Sequence, residues 1–407
     1  MHIIFLTHYF YPEGNAPASR TFDNCKRWVA KGHKVTIVTG VPNVPDGIIY
    51  EGYKNRFFQW EEMNGISVLR VWTYIAPNKG FFKRTLNYFS FMISSLLGIF
   101  LIKKGDLVIA TSPQIFCGVA GYIFSRMRKL PFIFEVRDIW PETMIAIGAL
   151  KSRKLIRILE YIEMFLYRNS EKIVVLTESF KKVISQKGIL EEKIFVVKNG
   201  VDITFFCPQD KENEVRKEYD LEGKFVVSYI GTLGMCQGLV QVLRASENFR
   251  NNDDIVFLLV GSGAERDTLI RKKEKKQLDN VIFIERQSKH LIPSFYAASD
   301  VCLVTLKNTP YFKTVIPSKI FEIMSMARPI ILGVDGETKK IVEKAKAGLF
   351  IEPENYIDLK KAILRLYNCP EKCQELGRNG RRFVEKYFDR DILSNYYLKI
   401  LTQSLNI

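Results

Sequence analysis

The sequence predicts an α/β protein made of two doubly wound domains. Three observations predict it. The chain has 407 residues, too many for one ordinary core and suited to two. Short apolar, β-branched runs alternate with helix-like stretches, the pattern of parallel sheets covered by helices on both faces. The alternation then lapses after residue 200 and restarts after residue 224.

In chain order, the first series of strands is 3–7 (IIFLT), 35–39 (VTIVT), 66–71, 106–111 (DLVIAT), 131–136 (PFIFEV), 173–177 (IVVLT) and 194–198. Helices are expected between most of them, including 16–31 and 154–168. The opening MHIIFLTHYF lacks the basic start and cleavage site of a signal peptide and reads as the first strand. The second series is 225–230 (FVVSYI), 255–260 (IVFLLV), 281–284, 301–305 (VCLVT), 329–333 (PIILG) and 349–351. The break is expected between Gly200 and Lys224, where Pro208 and a charged stretch interrupt the pattern. The last segment, 388–405, reads as a helix with an aromatic face of Phe388, Tyr396 and Tyr397.

Composition narrows the function classes. The chain is 47% hydrophobic and 26% charged, a balance that folds. Seven cysteines are scattered, with no CxxC pair and no Cys/His cluster, so a reduced, intracellular protein is the simplest reading and no metal site is expected. The formal charge is +16 and uneven: residues 1–195 hold 27 Lys/Arg against 16 Asp/Glu. Windows 79–104, 126–129 and 151–157 hold 12 basic residues and no acid. Such clustering points to a polyanion, either nucleic acid or an anionic membrane. A genome rich in lysine would raise the charge but would not cluster it.

In doubly wound sheets, ligands sit beyond the carboxyl ends of the strands. The first strand ends in THYFYPEGNAPASRTF, which has one glycine, Gly14, and no G-x-G-x-x-G; the chain also lacks a Walker A sequence. Dinucleotide and P-loop chemistry are therefore disfavoured. Three other strand ends stand out: Arg137-Asp138-Ile139-Trp140-Pro141-Glu142, then Gly231 to Gly238 (GTLGMCQG), then Gly261-Ser262-Gly263-Ala264-Glu265. Glycine directly after a strand lets backbone amides approach a ligand, though each loop taken alone could be a tight turn.

The stretch FKTVIPSKIFEIMSMARPIIL (312–332) joins these loops. Pro317 should begin a helix, placing Ser318 and Lys319 in its first turn, where anions are favoured. Lys319 adds a point charge suited to phosphate. Glu322 lies three residues on, roughly on the same face, and can accept hydrogen bonds from a diol such as ribose. Lysine for diphosphate with glutamate for ribose describes a nucleoside diphosphate site. The plain alternative is a Lys-Glu pair on a core helix.

Taken together, HYFYPEGNAPASR (8–20), EVRDIWPE (135–142), NGVD (199–202), GTLGMCQGL (231–239), VGSGAERDTL (260–269), YAASDVCLV (296–304) and PSKIFEIMSMARPII (317–331) resemble the retaining glycosyltransferases of family 4. Within them the chain is most similar to transferases of O-antigen and capsule assembly, including those that move N-acetylfucosamine. The resemblance implies a GT-B fold of two Rossmann-like domains facing a cleft. An acceptor- and membrane-facing domain would span 1–200 and a nucleotide-sugar domain 201–387, with a helix over 388–407 packing back on the first.

The resemblance also implies site residues. Glu322 matches the second glutamate of the family's E-x7-E element; the first falls at Thr314, so this chain lacks it. The arginine and lysine that many relatives carry after the second domain's first strand appear as Thr232 and Gln237, leaving Lys319 as the substitute. The donor side would then comprise Gly231, Thr232, Gly234, Gln237, Gly261, Gly263, Arg286, Thr314, Ser318, Lys319 and Glu322. The Arg137-Asp138 pair stands near the family's reacting sugar, and Glu13, Gly14, Asn15 and Arg20 mark the acceptor side. The implied reaction is retaining transfer from a UDP-sugar, without metal or other cofactor, by a front-face route.

The acceptor is argued from the basic half. Residues 85–102 (TLNYFSFMISSLLGIFLI) carry no charge, yet they fall between two strands of one domain. Asn87, Ser90, Ser94 and Gly98 form a small, polar stripe. A helix packed on the domain with its outer side available to lipid is favoured over a buried helix or a membrane span. A polyprenyl-diphosphate-linked sugar at the inner face of the cell membrane then becomes the expected acceptor, with no nucleic acid partner. A soluble acceptor, or an inactive sugar-nucleotide-binding module, are the alternatives.

Overall fold

The computed structural model describes residues 1–44, 47–77, 81–146, 148 and 150–405. Lys79 of the basic windows and the last two residues of the C-terminal segment lie outside them. The chain divides into two compact units, Met1–Asn199 with Arg390–Ile407, and Gly200–Asp389.

The first unit holds strands β1 (His2–Leu6), β2 (Lys34–Thr39), β3 (Phe58–Met63), β4 (Ile66–Val71), β5 (Leu107–Thr111), β6 (Phe132–Val136), β7 (Lys172–Val175) and β8 (Ile194–Val196). They form one sheet ordered β3-β4-β2-β1-β5-β6-β7-β8. Pairing is parallel except between β3 and β4; Ile3 sits opposite Val35 on one side and Leu107 on the other. The central strands are buried on both faces, so they read as unbroken apolar runs. β3 did not stand out in the sequence because FQWEEM mixes charges into its alternation. As an edge strand it is half-buried, so only alternate positions need be apolar.

One face of this sheet carries the helices Ala16–Ala30 and Arg390–Thr402; the other carries Phe81–Leu97, Ile115–Arg128 and Arg153–Asn169. The C-terminal helix is clasped to the Ala16–Ala30 helix by Trp28. Its indole donates to the Ser394 carbonyl at 3.3 Å, and its ring meets Tyr397 edge-on at 5.3 Å. The aromatic face expected over 388–405 does not form. The helix begins at Arg390, so Phe388 falls outside it, in the second unit, stacked on Phe321 at 4.5 Å. Tyr396 and Tyr397 lie about 100° apart on a helix, and the first is exposed while the second is buried.

The uncharged segment folds as the Phe81–Leu97 helix followed by a 3₁₀ turn, Gly98–Leu101. The span Lys83–Leu101 is long and apolar enough to cross a membrane by length and composition, but here it lies on the sheet and is partly buried. Its small and polar stripe faces inward. Asn87 donates to the Tyr74 carbonyl at 2.6 Å, the Ser90 hydroxyl accepts from the Tyr74 amide at 2.8 Å, and Ser94 and Ser95 are buried.

The second unit is a six-stranded, wholly parallel sheet of β9 (Phe225–Ile230), β10 (Ile255–Val260), β11 (Val281–Ile284), β12 (Val301–Thr305), β13 (Ile330–Gly333) and β14 (Gly348–Phe350). Its order is β11-β10-β9-β12-β13-β14. The chain leaves β9 toward β10 on one side and later returns to place β12 on the other. That reversal opens a crevice at the carboxyl ends of β9 and β12.

Candidate active site

The crevice of the second unit gathers most of the expected donor residues. Gly231 follows β9 and Gly261 follows β10, and the two loops are zipped together. Gly231 N–H donates to the Val260 carbonyl at 2.9 Å, and Leu233 N–H to the Ser262 carbonyl at 2.9 Å. Gly261 has φ +142°, and a Cβ there would fall 2.0 Å from the Gly231 carbonyl oxygen, so no other residue fits. The expected offer of the Gly231 amide to a ligand is corrected here, because the sheet ladder has already taken that amide. What Gly231 contributes is space. A Cβ on it would lie 2.7 Å from Lys319 Nζ.

Lys319 opens the short helix Lys319–Ser325, with Ser318 at its N-cap and Pro317 just before it. The amides of Ile320 and Phe321 are already taken by the Pro317 and Ser318 carbonyls at 3.1 Å each, so the side chain is the chief donor of this turn. The Lys319 ammonium sits 3.7 Å from the centre of the Tyr229 ring. Among the described residues it has neither a hydrogen bond nor an ion pair of its own. The side chain as a whole is half-buried, but its head is desolvated. Desolvation pulls its pKa down to about 7, against the opposing pull of Glu322. Such a cation gains most when an anion arrives.

Glu322 accepts from the buried Tyr296 hydroxyl at 3.1 Å, which fixes the carboxylate beside Lys319. The remaining donor-side residues vary. Tyr229 donates its hydroxyl to the carbonyl of the exposed Thr232 at 2.9 Å. The Gln237 side-chain oxygen lies 3.0 Å from where a Gly234 Cβ would stand, folding this loop on itself. Gly263 is exposed at the rim. Thr314 turns its hydroxyl back to the Tyr311 carbonyl at 2.7 Å. Arg286 is exposed after the edge strand β11, two strands from β9.

In the first unit the expected residues divide differently. Arg20 is buried and donates to the Val197 and Lys198 carbonyls and to Asn199, at 2.9–3.0 Å. Arg137, also buried, donates to the Ala16 and Pro17 carbonyls at 3.2 and 3.0 Å. Both flank the buried Glu135 carboxylate, at 3.5 and 3.8 Å. Burial pulls the Arg137 pKa down to about 10, with Glu135 opposing. These arginines hold the strand-end loops in place. Glu13 likewise turns inward and accepts from the Asn43 and Val44 amides at 3.0 and 3.2 Å. Burial still raises its pKa to about 7. Asn15 caps the Ala16–Ala30 helix through Ala18 N–H at 2.9 Å, leaving Gly14 exposed. Asp138 borders a small cavity with Ser112, Trp140, Tyr167 and the buried Glu163.

The sequence reading missed Tyr229 and Tyr296, which set the environments of Lys319 and Glu322. The signal was present, since a tyrosine inside an apolar strand (FVVSYI) or helix needs a partner for its hydroxyl. It also missed His8, two residues after the end of β1. This ring is buried among Tyr9, Tyr88 and Phe91, and burial lowers its pKa to about 4.

Residues 15–200 match the glycosyl transferase 4-like domain, and residues 210–383 match the glycosyl transferases group 1 domain. WcaI of Escherichia coli (strain K12), named for glycosyl transfer in colanic acid biosynthesis, is 22% identical over 94% of this chain and 95% of its own. The capsular polysaccharide biosynthesis glycosyltransferase CapM of Staphylococcus aureus is 24% identical over 76% of this chain and 80% of its own. Among solved structures, a sucrose-phosphate synthase from Thermosynechococcus elongatus superposes with a TM-score of 0.77 at 16% identity, covering 99% of this chain and 98% of its own. Anabaena Alr3699/HepE in complex with UDP-glucose superposes at 0.73 with 18% identity, covering 99% of this chain and 100% of its own. With one domain model on each unit and the fold shared along the whole chain, this protein belongs to the GT-B glycosyltransferases of family 4 type.

Proposed function

We propose that the protein transfers a sugar, an N-acetylated hexosamine or deoxyhexosamine, from a UDP-sugar to a polyprenyl-diphosphate-linked saccharide. The setting is surface polysaccharide synthesis, of O-antigen or capsule, at the inner face of the cell membrane. The observation that carries this reading is Lys319: a desolvated cation with no hydrogen bond or ion pair among the described residues, beside Gly231, at the crevice of the second sheet. That arrangement suits a diphosphate, and Glu322, held by Tyr296, suits a ribose diol. The naming of WcaI and CapM for polysaccharide biosynthesis and the UDP-glucose held by the Anabaena fold relative support the donor and pathway class.

In this reaction the bond from the anomeric carbon to the diphosphate oxygen breaks, and the acceptor hydroxyl bonds to that carbon on the same face. The hydroxyl proton passes to the departing diphosphate. Lys319 meets the growing negative charge, so no metal or further cofactor enters the scheme. Asp138 takes a polar role at a sugar, while Arg20, Arg137 and Glu13 keep their loops in shape.

A panel of UDP-, GDP- and dTDP-sugars assayed with a lipid-diphosphate GlcNAc acceptor tests the reading. Transfer from a UDP-sugar with retained anomeric configuration is the expected result. Tight UDP binding without transfer to any acceptor would leave a binding module instead.

A further inference from the structure

The loop that carries Asp138 is pinned at both ends. It runs from β6 to a short helix, Glu142–Ala146. At its start the Ser112 hydroxyl oxygen accepts from the amides of Arg137 and Asp138, at 2.8 and 3.4 Å. At its end the Glu142 carboxylate accepts from the Lys187 ammonium at 2.6 Å. The other Glu142 oxygen is buried and has no hydrogen bond among the described residues, so Lys187 is the hold that this carboxylate has.

Lys187 reaches this loop from another part of the unit. It stands at the C-cap of the helix Glu178–Gln186, which follows β7, a place where a cation is favoured. Its ammonium also donates to Glu163 of the Arg153–Asn169 helix, at 2.6 Å. Glu163 is buried, and its other oxygen accepts from the Tyr167 hydroxyl at 2.7 Å. One lysine thus bridges two carboxylates, one deep in the unit and one on the loop. Glu163 and Tyr167 line the same small cavity as Asp138 and Trp140. Burial raises the Glu163 carboxyl to about 7, with Lys187 opposing. A buried ion pair often adds no net stability over an apolar pair of similar volume, so its use is to be sought in geometry.

We propose that Glu163 and Lys187 are positioning residues, whose bridge to Glu142 holds the loop so that Asp138 meets its sugar in a productive place. Neither touches substrate. Ser112 anchors the loop where it leaves the sheet, and without the bridge the loop and its short helix would pivot about that anchor. A misplacement of about 1 Å at a reacting centre can cost roughly 100-fold in rate. The inference rests on the reading that Asp138 acts at a sugar, and it extends that reading to two residues remote from the loop in sequence.

The test uses the full chain in the transfer assay, with a UDP-sugar and the lipid-diphosphate GlcNAc acceptor. Glu142→Ala cuts the bridge at its half-buried end and leaves the deep Glu163–Lys187 pair whole, so the fold should survive. Its kcat should fall roughly tenfold, while the KM for the UDP-sugar stays unchanged. Glu163→Gln keeps the bond from Tyr167 but removes the charge that seats Lys187, and it should lower kcat as well. The double variant should be no slower than the slower single one, because both changes cut one bridge. Lys187→Arg, which can still span two carboxylates, should retain most of the activity. A purely structural pair would lower the melting temperature and leave the kcat of the folded protein alone. Trp140 supplies a readout that needs no transfer. Acrylamide quenching of its emission, taken as the difference from a Trp140→Phe counterpart, should rise in Glu142→Ala as the loop loosens. Unchanged kcat in Glu142→Ala, or losses that add in the double variant, would overturn the proposal. If the wild type transfers no sugar from any donor, the proposed function fails, and the quenching alone then decides the bridge: a rise upholds it and no change sinks it.

Discussion

The buried cations expected at the site are held in opposite ways in the two units. In the first, Arg20 and Arg137 spend their donors on backbone carbonyls and flank Glu135. In the second, Lys319 is held over an aromatic ring with no hydrogen bond or ion pair among the described residues. The guanidinium's planar fork can satisfy several carbonyls at once, which suits a clasp. An ammonium is a compact charge that loses hydration when covered, and an incoming anion offsets that loss by pairing with it. Position in a strand-end loop therefore does not distinguish a binding residue from a structural one. What distinguishes them is whether the charge is already satisfied.

Removing a clasp should have the largest effect. Arg137→Ala leaves Glu135 with a lost partner in a buried place, and stability should fall by about 3–5 kcal/mol. Denaturant titration measures it, and UDP affinity of the folded fraction should stay unchanged. A variant as stable as the wild type would make Arg137 a binding residue after all.

Lys319→Ala should do the reverse. Its melting temperature should hold or rise, since a desolvated charge without a hydrogen bond or ion pair is gone. UDP affinity by calorimetry should fall by about 1.5–3 kcal/mol, the worth of a charge-assisted contact. A drop in stability comparable to Arg137→Ala would show that the lysine is a clasp too.

Acidity sharpens the contrast. Desolvation brings Lys319 to a pKa of about 7, so it is charged below that pH and neutral above it. A bound anion favours the charged form, so wild-type affinity for UDP should weaken as pH rises through 7, by up to about tenfold per unit. The Lys319→Ala variant should lack this component. Parallel pH profiles for the two proteins would mean that the lysine does not titrate there.

The smallest effect is expected at Tyr296. Tyr296→Phe removes the hydroxyl that donates to Glu322 but keeps the ring. UDP affinity should drop by about 1 kcal/mol. Glu322→Gln, which keeps the shape and removes the charge, should weaken it more. If Tyr296→Phe matched Glu322→Gln, the tyrosine would be touching the nucleotide directly.

The sequence by itself determined the two parallel sheets, because strands buried on both faces must be apolar throughout and their runs stand out. It also determined that Lys319 and Glu322 share a face, because a three-residue spacing on a helix sets this whatever surrounds it. Other features were decided only by the tertiary structure. FQWEEM becomes a strand because β4 offers it an edge, and neither its composition nor its charges announce that. Arg20, Arg137 and Glu13 look like site residues in a one-dimensional reading, yet carbonyls and amides as far away as Lys198 and Asn43 claim them. Long-range packing decides whether a charge is spent, and hydrogen-bond partners distant in sequence leave no local mark. Lys319 remains available for the same reason: Tyr229, which is ninety positions earlier, offers it a ring face rather than an acceptor.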